Sequence, residues 1–173
     1  MENTAIELSE KGKKAFENGD FEGAVQIFTE CAELYLKEEN FLDAAEAKNN
    51  LSVTLLKAGK AEEALKAAKE TDLVFEEAGD KLRQATALGN QASALDEMGE
   101  LDEALQLYQK SAQLFGEVDK NDYQEMVLKS IAGIELRRGK LEDTAFTMLQ
   151  SLGAVKKPNI FQRILRFFLR FFG

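Results

Sequence analysis

Gly99-Glu100-Leu101-Asp102-Glu103-Ala104 is one of four copies of the same short phrase. The others are Gly19-Asp20-Phe21-Glu22-Gly23-Ala24, Gly59-Lys60-Ala61-Glu62-Glu63-Ala64 and Gly139-Lys140-Leu141-Glu142-Asp143-Thr144, so the four glycines recur with one fixed period of forty. A fixed period in this range marks an array of stacked structural repeats. The phrase has a physical reading. The glycine can take the left-handed conformation that ends a helix. The acids shortly after it fall in the first turn of the next helix, where the helix dipole favours them. The small residue five places after the glycine lets two helices approach closely. Apolar residues on either side recur at spacings of three and four, as in Leu51, Leu55 and Ala58 or Ala104, Leu107, Tyr108, Ser111, Ala112 and Phe115. Each phrase therefore predicts a helix, a tight turn and an antiparallel helix.

Outward from the phrase, helices are expected at about 3–17, 21–37, 42–57, 61–77, 82–97, 101–116, 122–137 and 141–152. Joints at Glu39-Asn40, Gly79-Asp80 and Asp119-Lys120 separate the pairs. A helical pair cannot bury both of its faces alone, so neighbouring pairs must stack. The expected fold class is all-α, a right-handed superhelical solenoid of four helix-turn-helix repeats (about 5–40, 41–80, 81–120 and 121–152), together forming a domain at 1–152. A linker at 153–158 and a C-terminal amphipathic helix at 159–173 follow.

Composition supports this reading and excludes several others. The chain has 173 residues, and its 31 acids against 22 bases give a net charge of −9. A hydrophobic content of 45% is that of a folded protein. The single Pro favours long helices over a turn-rich β fold. With no His, neither Ser-His-Asp nor His-metal chemistry can be assembled. A single Cys makes no internal disulfide and no paired metal knuckle. No phosphate-cradling glycine loop and no calcium loop is present. The chain is therefore read as a non-catalytic protein without cofactor or metal, and its acidic body argues against nucleic acid as a partner. No apolar signal segment opens the sequence, and no apolar run is long enough to span a bilayer. A cytoplasmic setting is expected.

The repeats resemble the tetratricopeptide repeat family. That family's small eighth position is matched by Gly12, Ser52, Ala92 and Ala132, and its alanine at the twentieth by Ala24, Ala64 and Ala104, with Thr144 departing. The aromatic near the twenty-fourth is matched by Phe28 and Tyr108 but not by Ala68 or Met148. The small twenty-seventh is Cys31, Thr71, Ser111 and Ser151, of which Cys31 is read as a packed core thiol. The family's closing Pro is missing from every repeat. A repeat of forty, longer than the family's common length, resembles the subgroup found in scaffold and motor-adaptor proteins. The resemblance implies a protein-binding module, an adaptor or scaffold holding a partner peptide or helix in its concave groove.

In that family the first helix of each repeat lines the groove. The resemblance thereby nominates Lys13, Asn49, Asn50, Lys57, Asn90, Ser93, Lys129 and Arg137 as groove residues. An Asn amide offers both a donor and an acceptor to a peptide backbone, and Asn50 and Asn90 stand one repeat apart. The cations suit a carboxylate, while Glu10, Glu17, Glu46, Asp96 and Glu97 make the groove acidic or mixed overall. Lys13 and Asn50 match two places of the family's clamp for acidic chaperone tails. The third repeat offers Thr86 and Asn90 where that clamp needs bases, so it is incomplete.

The C-terminal stretch differs from everything before it. Residues 153–173 carry five bases and no acid, whereas residues 1–152 hold 17 bases and 31 acids, a net of −14. Wound as a helix, residues 159–173 place Gln162, Arg163, Arg166 and Arg170 in a narrow cationic stripe. Ile160, Phe161, Ile164, Phe167, Phe168, Phe171 and Phe172, with two leucines, fill the remaining arc. At about 1.5 Å per residue the helix is too short to span a bilayer, but it suits the interface of an anionic membrane. The reading is a peripheral anchor at the cytoplasmic face of a membrane. The alternatives are that this helix caps the solenoid, occupies its own groove, or pairs with a second copy as a homo-oligomer.

Overall fold

In the computed structural model residues 4–154 are described, and the tail read as 159–173 lies outside them. The described residues form nine helices in succession: α1 (Ala5–Glu17), α2 (Phe21–Lys37), α3 (Phe41–Lys57), α4 (Ala61–Ala68), α5 (Thr71–Glu77), α6 (Lys81–Met98), α7 (Leu101–Glu117), α8 (Asn121–Arg137) and α9 (Leu141–Ala154). Long helices pack on their neighbours in sequence, and the short α4 and α5 both lie against α3 and α6. Because α3 also touches α1 and α6, the antiparallel pairs stack into an all-α solenoid. The last helix continues to Ala154, into the segment expected as linker.

The joints are more uniform than the glycines alone suggest. Positive φ falls at Gly19, Glu39, Gly59, Gly79, Gly99, Asp119 and Gly139, once every twenty positions. At each of these the left-handed residue's N–H donates to the carbonyl three residues back, as Gly19 does to Phe16. The next N–H donates to the carbonyl five back, as Asp20 does to Ala15 and Lys120 to Phe115. This pair of bonds is the Schellman closure, which satisfies carbonyls left over at a helix end. The residue after the left-handed one then starts the next helix. Asp20, Asn40 and Asp80 cap it by accepting a backbone N–H through the side chain, whereas Lys60, Glu100 and Lys120 make no such bond.

One expectation fails. The helix predicted over 61–77 is two helices, broken at Lys69–Glu70, where Glu70 has φ +64°. The Ala68 carbonyl explains the break. It accepts from the Thr71 hydroxyl at 2.7 Å and from Gln91 Nε2 of α6 at 3.2 Å, so side chains satisfy it instead of the helical ladder. The repeat survives the interruption: Phe75 is fully buried at the position held by Tyr35 and Phe115 in the neighbouring repeats.

The core is a chain of clusters, each gathered from helices close in sequence, as expected of a one-dimensional stack. Ala24, Ala64 and Ala104 have no exposed surface, which is where paired helices meet most closely. In the first repeat the small eighth position makes room for the aromatic twenty-fourth. Gly12 faces Phe28 so closely that an added Cβ would stand 2.7 Å from the ring. Cys31 is fully buried and its Sγ donates to the Ala5 carbonyl at 3.3 Å. Burial, and secondarily the negative charge of Asp43, push its thiol up to about 11.

Candidate functional site: a groove across the first helices

The candidate groove residues cluster where first helices share a face. Two depressions lie side by side there. One of about 150 Å³ is lined by Lys13 and Phe16 of α1 and by Asn50 and Val53 of α3, with Phe28 also lining it. The other, about 250 Å³, joins Asn49, Asn50 and Val53 of α3 to Thr86 and Asn90 of α6 and to Tyr123 of α8. Asn50 and Val53 line both.

The two asparagines of α3 do different work. Asn49 is 5% exposed, and its Oδ1 accepts from Asn90 Nδ2 at 3.3 Å and lies 3.4 Å from the Thr71 hydroxyl oxygen, whose proton goes to the Ala68 carbonyl. It ties α3 to α5 and α6 from within. Asn50, by contrast, is half-buried as a residue, but its Nδ2 is shut from solvent and has no hydrogen-bond partner among the described residues. Tyr123 is half-exposed and stacks on Phe115 with ring centroids 5.3 Å apart, which fixes the rim. Arg83 lies 5.0 Å over the Phe75 ring and its Nε donates to Asp80 at 2.7 Å. The Arg83 backbone N–H, and then its guanidinium, hold the Asp80 carboxyl below its ordinary value.

The tetratricopeptide repeat family model matches residues 43–117. That stretch is similar to tetratricopeptide repeats. Among solved structures, the helical array resembles the nearly identical TPR-like repeats of a kinesin-light-chain candidate from Podosopora anserina. That structure superposes with a TM-score of 0.76 at 12% identity, covering 98% of this chain and 84% of that one. A point variant of the same repeats gives 0.75 at 13% identity, over 88% and 76%. At these identities the likeness is one of fold. No curated protein matches the sequence.

Within the helical array the other nominated residues are placed elsewhere or already engaged. Lys13 pairs with Glu10 at 3.0 Å, Lys129 with Glu125 at 2.6 Å, and Arg137 with Asp96 of the preceding first helix. Ser93 donates to the Gly89 carbonyl and shares a 2.9 Å hydrogen bond with the Tyr108 hydroxyl. Burial raises the Tyr108 hydroxyl above its ordinary value, keeping it a neutral strut. Lys57 is exposed at the end of α3 and has no ion pair among the described residues. Sequence reasoning passed over Val53 and Tyr123. Val53 stands one period from both Lys13 and Ser93, so the repeat pointed to it, but its apolar side chain did not look like a contact residue.

Among the described residues no helix is long and apolar enough to cross a membrane, and no group of acids and thiols is placed to hold a metal.

Proposed function

We propose that the protein is a non-catalytic adaptor whose shared first-helix face holds an extended segment of a partner protein. Tetratricopeptide repeats in general mediate protein–protein interaction. The observation that carries the reading for this chain is the uncommitted amide of Asn50 between two depressions. Its N–H donates to a peptide carbonyl, while Val53 and Tyr123 supply apolar contact on either side. The cations Lys13, Lys129 and Arg137 are already paired with carboxylates, so the groove selects on backbone and shape more than on acidic charge.

The test begins with a displayed library of random peptides selected against the full chain. Asn50→Ala removes a side chain whose Nδ2 makes no internal bond, so folding is preserved. Loss of one hydrogen bond, about 0.5–1.5 kcal/mol, weakens a selected peptide by about 2- to 10-fold. Asn50→Ala together with Asn90→Ala weakens it further. Unchanged affinity in both variants would remove the groove from consideration.

A further inference from the structure

A larger cleft, of about 690 Å³, is walled by α7, α8 and α9 and shares no lining residue with the partner groove. Such a volume is on the scale of pockets that bury whole ligands. Its lining is mixed: Gln109, Gln113, Gln124 and Gln150 border it, buried Leu128 and Ile131 line it, and Phe146 stands on its wall with 62% of its surface exposed. Glu135 of α8 also lines it. The forty-residue period places Ala15, Leu55 and Leu95 at the equivalent positions, so the last repeat alone puts a carboxylate in an apolar slot. Glu135 is 9% exposed, and its Oε2 is shut from solvent with no hydrogen-bond partner among the described residues. A buried carboxylate oxygen left without a hydrogen-bond partner costs free energy that a donor would recover.

Gly153 lines the cleft, so the segment from Val155 to Gly173 starts at its edge. That segment carries five bases and no acid. Read as a helix, residues 159–173 are about 22 Å long, matching the 14-residue α9 at about 21 Å. Residues 155–158, spanning up to about 13 Å, suffice to turn the chain back beside α9. We infer that the C-terminal segment 159–173 folds back into the α7–α8–α9 cleft, with one arginine of its stripe on Glu135 and its phenylalanines on Leu128, Ile131 and Phe146. This site is separate from the partner groove, and the inference stands or falls independently of it.

The experiment uses the full chain with a nitroxide attached at Gln162→Cys, on the polar stripe. Cys31, fully buried with a raised thiol, stays unlabelled. Isotope-labelled, spin-labelled protein is diluted into unlabelled, spin-free protein so that only contacts within one chain are read. The expected result is loss of peak intensity at Ala112, Ile131 and Thr147 and none at Thr86 in the groove. Glu135→Leu, the residue that two other repeats carry there, restores those intensities. So does replacing Arg163, Arg166 and Arg170 together by Gln, which leaves the repeats untouched. Broadening at Thr86, or only when spin-labelled and isotope-labelled chains are mixed, places the tail in the groove or on a second copy and overturns the inference. So does an unchanged pattern in both sets of variants. Pelleting with phosphatidylserine vesicles, with no cleft broadening in their absence, assigns the tail to lipid and also overturns it.

Discussion

Adding one methyl group at Gly12 and one at Gly133 should move stability in opposite directions. Both glycines lie inside helices, α1 and α8. In a helix interior alanine is favoured over glycine by about 1 kcal/mol, and both substitutions share that gain. Their surroundings differ. A Cβ on Gly12 would stand 2.7 Å from Phe28 Cε1 and 2.9 Å from Cδ1 and Cζ, and Phe28 is 2% exposed. A Cβ on Gly133 meets nothing within 4 Å. Overpacking a core typically costs about 1–3 kcal/mol. Gly133→Ala is therefore expected to stabilise by about 1 kcal/mol. Gly12→Ala is expected to lie about 1–3 kcal/mol below it, a net loss of up to about 2 kcal/mol. At about 2–4 °C per kcal/mol for a chain of this length, the two melting temperatures separate by several degrees. Urea and thermal unfolding followed by far-UV circular dichroism read the difference. If Gly12→Ala stabilises as much as Gly133→Ala, the close contact between α1 and Phe28 is not what fixes glycine there.

Glu39 and Asp119 hold left-handed conformations at φ +57°. Glycine there relieves a cost of about 1 kcal/mol, so Glu39→Gly and Asp119→Gly should each raise the denaturation midpoint, while Gly59→Ala, at φ +74°, should lower it. Cys31 gives a pH dependence. Its thiol rises from an ordinary 9.0 to about 11 in the folded chain. Between those values the unfolded chain has released a proton that the folded chain still holds, so stability present below pH 9 is lost as pH rises toward 11. Stability measured across that alkaline window should fall less steeply for Cys31→Ala than for the parent, and parallel slopes would contradict the assignment.

The fold was readable because its punctuation is written in glycine. Four glycines at one spacing mark the turn within each pair, and the small residues around them mark where the helices meet. The joints at Glu39 and Asp119 were legible only as polar breaks, since neither residue type demands a left-handed backbone. The break at Lys69–Glu70 was not legible. It depends on Gln91, on another helix and far along the sequence, reaching the Ala68 carbonyl. The site was partly legible for a related reason. Helical spacing put Asn49, Asn50 and Asn90 in one neighbourhood, but adjacent asparagines on one helix point in different directions. Only the packing shows that Asn49 is committed inside and Asn50 is not. Glu135 stands out only in the structure, where Leu55 and Leu95, its counterparts in two other repeats, are buried.

The seven evenly spaced joints make every corner of the described chain interchangeable, whether it lies inside a helical pair or between pairs. The corners therefore carry no record of which helix lines the proposed groove and which lies away from it; only the side chains do. An insertion half a repeat long would close its corners perfectly well and yet turn everything downstream inside out, presenting second helices where first helices belong. Growth or shrinkage that keeps the first-helix face continuous must proceed in whole repeats. The array's length is thus quantised by its surfaces and not by its backbone.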